Sequence, residues 1–232
     1  MICGIHQPNY LPWIGYIHKI ALCDVFVFYD STQYTKWDYR NRNKIKWSNG
    51  EIQLTLPVSF QLGQKINEVS FDTRSLKKHL QTISQSYAKA PYFSENKMLL
   101  EDIYHYDGDN LSEFCTHMIQ KICEALNIHT RFITLSQTDF DLQNTSTQAL
   151  VDICQYCKAD TYVVWGDASY MENELFEKNN ITLKYQDFHH PEYHQLWWDF
   201  MPYMSVIDLL LNEGREESRK IIFSVSVSKP LF

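Results

Sequence analysis

Residues 2–29 read ICGIHQPNYLPWIGYIHKIALCDVFVFY. Two short apolar runs, at 2–6 and 25–29, flank a stretch broken by Pro8 and Pro12. Trp13, Ile17, Ile20 and Ala21 then recur at three- to four-residue spacing, which predicts a helix over 13–22. Val25-Phe26-Val27-Phe28-Tyr29 is continuously apolar, as a strand buried on both faces requires. Strand, helix and strand within about thirty residues make a βαβ unit, so the sheet begins parallel.

The same alternation returns beyond residue 126. Strands are expected at 132–135, 161–165 and 181–188, with helices at 146–157, 171–178 and 205–212, the last ending at Gly214. The intervening segment differs. Residues 39–47 alternate, with Arg40, Arg42, Lys44 and Lys46 on one face and Asn41, Asn43, Ile45 and Trp47 on the other. Asn49-Gly50 predicts a two-residue hairpin turn, with Ile45 opposite Leu54 and Trp47 opposite Ile52. Residues 75–126 read as three helices capped by Ser75, Ser94 and Ser112. The expected fold is one α/β domain over 1–232, with a mainly parallel, Rossmann-like sheet. Residues 31–126 would be an inserted hairpin and helical cap over its carboxyl edge.

The chain has 232 residues, of which 44% are hydrophobic and 21% charged, so a sizeable core is available and general disorder is excluded. No apolar run approaches the ~18 residues of a membrane span. The net charge of −7 argues against a general nucleic-acid partner. No secretory signal is visible, so a cytoplasmic location is expected and the six cysteines read as reduced thiols. Cys154 and Cys157 form a lone CxxC, which reads as buried thiols rather than a zinc or redox pair.

Four stretches could carry chemistry. The first is the stiff loop His6-Gln7-Pro8-Asn9-Tyr10-Leu11-Pro12-Trp13. It follows the first strand, where open α/β sheets bind ligands. The second is the basic island 36–47, with five basic residues and one aspartate, suited to a diphosphate. The third is Phe188-His189-His190-Pro191-Glu192-Tyr193-His194-Gln195. Its proline breaks the helix that a HxxxH metal site needs, so no metal is expected. His190 reads instead as a base or donor. The fourth is the stretch 205–214, where Ser205 could cap a helix and Asp208 and Asn212 share a face. Gly166–Tyr170 could also receive phosphate at a helix N-terminus, although one glycine is a weak signal.

Taken together, HQPNYLPWIGY, YRNRNKI with LTLPV, HPEYHQ and SVIDLLLNEG resemble the WbqC-like family, in order and over nearly the whole chain. That family is associated with bacterial O-antigen gene clusters, and transfer of glycine or a related acyl group to an amino sugar has been suggested for it. The resemblance points to His6, Gln7, Pro8, Tyr10, Pro12, Trp13, Asn41, Arg42, His190, Tyr193, Gln195, Ser205, Asp208, Asn212 and Gly214. A fainter likeness is to nucleotidylyltransferase-type enzymes such as pantoate–β-alanine ligases. The positions of their signature histidines are here Tyr10 and Trp13.

The expected function is N-acylation of a nucleotide-linked amino sugar, such as a dTDP-4-amino-4,6-dideoxyhexose, in O-antigen and lipopolysaccharide synthesis. His6 or His190 would be the base, with Gln7 or Asn9 stabilising the oxyanion. Arg40, Arg42 and Lys44 would hold the diphosphate. Tyr10, Trp13, Asn41, Tyr193, Gln195, Ser205, Asp208 and Asn212 would line the substrate. No cofactor is expected, and the acyl donor could be an adenylate, a thioester or a charged tRNA, the one case involving nucleic acid. A non-catalytic nucleotide-sugar-binding protein, or an ATP-dependent ligase, would use the same features.

Overall fold

In a computed structural model, residues 1–166 and 171–224 are described. The chain opens with β1 (Ile2–His6), α1 (Ile14–Ala21) and β2 (Val25–Phe28). The hairpin β3 (Arg42–Trp47) and β4 (Gly50–Thr55) follows, then the short pair β5 (Val58–Ser59) and β6 (Ser70–Phe71). Helices α2 (Arg74–Tyr87), α3 (Phe93–Tyr104) and α4 (Leu111–Ala125) come next. The remainder runs β7 (Arg131–Thr134), α5 (Ser146–Tyr156), β8 (Thr161–Trp165), α6 (Asn173–Lys178), β9 (Thr182–Gln186) and α7 (Val206–Ser224).

The main sheet is parallel, in the order β7-β2-β1-β8-β9. The chain builds outward from β1 to β7, then crosses back to place β8 on the other side of β1. That reversal opens a crevice at the carboxyl ends of β1 and β8, the usual ligand position in a Rossmann-like sheet. Side chains alternate across the sheet, as strand geometry demands. Phe26, Phe28 and Val163 enter a core shared with α1, the hairpin, α2–α4 and α7. Cys3, Ile5, Val25, Val27 and Val164 enter another with α5 and α6.

The hairpin departs from expectation in register. The turn is Ser48-Asn49, and Gly50 opens β4 at φ 122°, so Ile45 faces Ile52 and Asn43 faces Leu54. The slip is two residues, which preserves both faces because the side-chain period is two. The three helices form, but the expected serine caps do not. Asn110 caps α4, its side-chain oxygen accepting from Glu113 N at 3.1 Å. All six cysteines are buried free thiols. Among the described residues no helix is long and apolar enough to cross a membrane.

Helix α7 does not stop at Gly214; it breaks there and continues. Gly214 sits at φ 74°, ψ 174°, a region essentially reserved for glycine, and a Cβ would meet the Tyr92 ring at 2.6 Å. Backbone strain and overpacking act together, so Gly214→Ala should cost about 2–4 kcal/mol. Urea denaturation reads this directly. A loss below about 1 kcal/mol would mean that the break relaxes freely.

Candidate functional site

A cleft of about 400 Å³ opens at the β1/β8 crevice. Its floor is built from the end of β1 and the face of α1: His6, Gln7, Tyr16 and Lys19. Asn9, Arg40 and Asn43 flank it, and Trp13, Tyr39, Trp165 and Tyr203 surround it with rings. Trp13 holds this aromatic wall together, 5.9 Å from Trp165 and 5.7 Å from Tyr203 between centroids.

His6 is fixed in one tautomer. Its Nδ1 lies 2.9 Å from the Gln7 carbonyl oxygen, which can only accept, so Nδ1 carries the hydrogen and Nε2 is the ring's acceptor. Burial, then the nearby Lys19 ammonium, pushes its pKa down to about 4, so the ring is neutral at pH 7. Lys19 is only 4% exposed, and its Nζ donates to Ile5 O at 2.9 Å. Burial pulls its pKa down to about 8. Among the described residues no carboxylate forms an ion pair with it.

Arg40 is the second buried cation of the cleft, 9% exposed. Its Nη2 donates to Gln7 Oε1 and its Nη1 pairs with Asp38, while among the described residues the buried Nε has no hydrogen-bond partner. Burial lowers its pKa to about 10. Gln7 is tied at both ends, since its Nε2 also donates to Thr32 Oγ1 at 2.6 Å.

The expected basic face does not reach the cleft as a unit; Arg40 alone of the four lines it. Lys44 pairs across the hairpin with Glu51 at 2.6 Å, and the Arg42 guanidinium lies 5.0 Å over the Trp37 ring. Lys46 is buried, donating to Gln195 Oε1 at 3.1 Å and Asp199 O at 2.6 Å. Lys44 has its counter-charge and Lys46 its acceptors, and Arg42 rests on an aromatic face, so the three do not converge on one anion.

Several other expected site residues hold the walls rather than line the cleft. Tyr10 is fully buried, its hydroxyl 2.7 Å from His79 Nδ1 and 2.8 Å from the Tyr104 hydroxyl. Asn41 donates to Leu56 O at 2.9 Å at the hairpin base. Asp208 is buried and accepts at 2.7 Å each from Tyr87, Tyr193 and Gln195. Asn212 donates to Asp208 O and accepts from Leu196 N. Ser205 accepts from Ile207 N at 3.4 Å, while backbone bonds from Ser205 N to Lys44 O and Val206 N to Pro12 O bind α7 to the hairpin and first loop.

His190 lies one ring outside the cleft, stacked on Trp13 at 6.5 Å and 18°. Its Nδ1 donates to Pro191 O at 2.9 Å and its Nε2 accepts from Tyr203 N at 3.0 Å. With both nitrogens engaged it positions Trp13 and Tyr203. Among the described residues no three His, Cys, Asp or Glu side chains are placed to hold a metal. The Asp167–Tyr170 part of the expected phosphate turn lies outside the described residues.

Lys19, Asn43, Trp165, Gln186 and Tyr203 were not legible as site residues. Two carried a signal. Lys19 is a lone ammonium in a helix buried on nearly every side, and Gln186 is a buried polar residue closing a strand. Gln186 Nε2 donates to Gly15 O at 2.9 Å and to His18 Nδ1 at 2.6 Å.

No solved structure gives a significant match to the chain. An uncharacterized protein of Mycobacterium tuberculosis (strain ATCC 25618 / H37Rv), Rv1507c, is 38% identical over 219 residues, covering 92% of this chain and 94% of its own length. The profile of the WbqC-like protein family matches residues 7–220, from the Gln7 bridge to the last helix, and spans every cleft-lining side chain except His6. By both measures the chain belongs to the WbqC-like protein family.

Proposed function

We propose that the cleft binds a nucleotide-linked amino sugar and that the protein transfers a glycyl or related acyl group to its amine. The observation that carries this reading is the pairing of two buried cations with a neutral histidine on a floor ringed by aromatic side chains. A diphosphate suits Arg40, whose guanidinium can present two donors to one anion. Base and sugar rings suit Trp13, Tyr39, Trp165 and Tyr203. In this setting the family's association with O-antigen synthesis supplies a substrate class of the right chemistry.

The reaction needs an activated acyl donor, a thioester or an acyl adenylate. The neutral amine attacks the acyl carbonyl, a C–N bond forms and the carbonyl π pair moves to oxygen. The nitrogen becomes acidic as its lone pair is committed to carbon, so even a weakly basic imidazole can take its proton. His6 Nε2 receives that proton. The oxyanion pair then returns, the bond to the thiolate or phosphate leaving group breaks, and the proton passes to the leaving group or to water.

Incubating the protein with nucleotide amino sugars and candidate donors, then measuring product masses, tests the transfer. Arg40→Gln should weaken nucleotide-sugar binding by roughly 1.5–3 kcal/mol, about 10- to 150-fold, by calorimetric titration. Arg42→Gln should change it less than threefold. The reverse order would place the diphosphate on the hairpin instead. Binding without any transfer would favour a nucleotide-sugar-binding protein.

A further inference from the structure

A second hollow of about 250 Å³ lies directly beside the cleft, on the other side of Gln7. Cleft and hollow share His6, Gln7, Lys19 and Trp165. The second hollow adds Tyr29, Thr32, Tyr162 and Leu150, so its lining mixes hydroxyl groups with short apolar faces. The Gln7 side chain, held by Thr32 at one end and Arg40 at the other, forms a fixed partition between the two.

Lys19 stands at that partition. Its ammonium has an amide carbonyl and the face of Tyr162, 5.4 Å away, as partners. A lysine with one backbone acceptor still has two N–H groups to give. A compact ammonium is suited to a single oxygen bearing partial or full negative charge, whereas an Arg fork is suited to phosphate. The hollow contains Lys19 and lacks Arg40, which lies on the nucleotide side.

We propose that this second hollow receives the acyl group of the donor, with its carbonyl oxygen against Lys19 Nζ. The assignment deepens the acyl-transfer reading and rests on it. Amine and acyl carbon would then meet past the edge of Gln7, where His6, Lys19 and Trp165 line both spaces. As the C–N bond forms, the π pair placed on the carbonyl oxygen is met by a buried ammonium already in position; as the leaving group departs, the pair returns. No further reactant is required. A small carboxylate carries the same charged oxygen and is therefore a ground-state probe of the pocket.

The test titrates the full chain with acetate and inorganic phosphate, and separately with thymidine diphosphate, by saturation-transfer NMR. Acetate should bind. Lys19→Met and Leu150→Trp should each weaken acetate at least tenfold, and Lys19→Arg should retain it. Leu150→Trp, which fills only the second hollow, should leave thymidine diphosphate within twofold. Acetate binding that survives both Lys19→Met and Leu150→Trp overturns the proposal, as does phosphate binding more tightly than acetate. If acetate behaves as expected but thymidine diphosphate never binds, the acyl pocket stands and the nucleotide-sugar reading falls. Should Lys19→Met fail to fold, Leu150→Trp and Lys19→Arg still decide, with near-ultraviolet circular dichroism reporting their folding.

Discussion

Asp208→Ala should destabilise the fold by about 3–5 kcal/mol, the range for breaking a buried charged network from one side. The carboxylate accepts from the Tyr87 and Tyr193 hydroxyls and from Gln195 Nε2, each at 2.7 Å. Lys46 is tied to the same cluster through Gln195 Oε1. Burial raises the Asp208 pKa, and the three donors and Lys46 oppose that shift. Truncation would leave two hydroxyls and an amide without their acceptor, and Lys46 without its nearby counter-charge. Asp208→Asn keeps the shape and should cost less, about 1–3 kcal/mol. Urea denaturation at pH 7 separates the two. A loss below 1 kcal/mol for the alanine variant would mean that the network contributes little to holding α7 against the hairpin.

His6→Asn should cut turnover at least 10²-fold, the low end for a general base, while leaving nucleotide-sugar affinity within about threefold. The comparison requires measured turnover in the parent chain. The ring is held by Gln7 O and packs edge-on against Tyr16 at 4.9 Å, so its geometry is set before substrate arrives. Its lowered pKa carries a sign that can be checked. A base that protonates near pH 4 stays active through pH 6.5, so turnover, corrected for the fraction of substrate amine that is unprotonated, should hold there and fall only as pH approaches 4. An acid limb centred near 6.5 would instead indicate an ordinary, exposed imidazole and would remove His6 from the role.

The parallel start of the sheet was legible because residues 2–29 bury strands on both faces, and such runs admit few other arrangements. The first loop was legible as cleft lining for the same reason: polar residues after a buried strand fall at the sheet's carboxyl edge. His6, Gln7, Asn9 and Trp13 all line the cleft. The hairpin was legible in its faces but not in its register, since Ser48-Asn49 and Asn49-Gly50 are both credible turns. The basic stripe misled because alternation fixes a face, not its neighbours. Glu51 sits opposite Lys46 in register yet pairs with Lys44, and Trp37 lies eight or more residues from the hairpin's tip. Tyr193, Gln195, Asp208 and Asn212 looked like a substrate surface because buried networks and binding sites draw on the same polar residues. Only tertiary contact tells them apart. Lys19 was missed because a lysine in a short helix reads as a solvated edge.

The backbone bond from Val206 N to Pro12 O and the Trp13–Ser205 bridge close the first loop with the last helix, Pro12 and Ser205 being 193 positions apart. During synthesis at roughly 5–20 residues per second, the loop waits on the order of ten seconds or more for its partner to emerge. His6, Gln7 and Trp13 are thus made well before the residues that fix their final placement. A nascent or prematurely terminated chain that stops short of residue 206 lacks the finished cleft, so ligand capture is confined to molecules whose translation has passed that point.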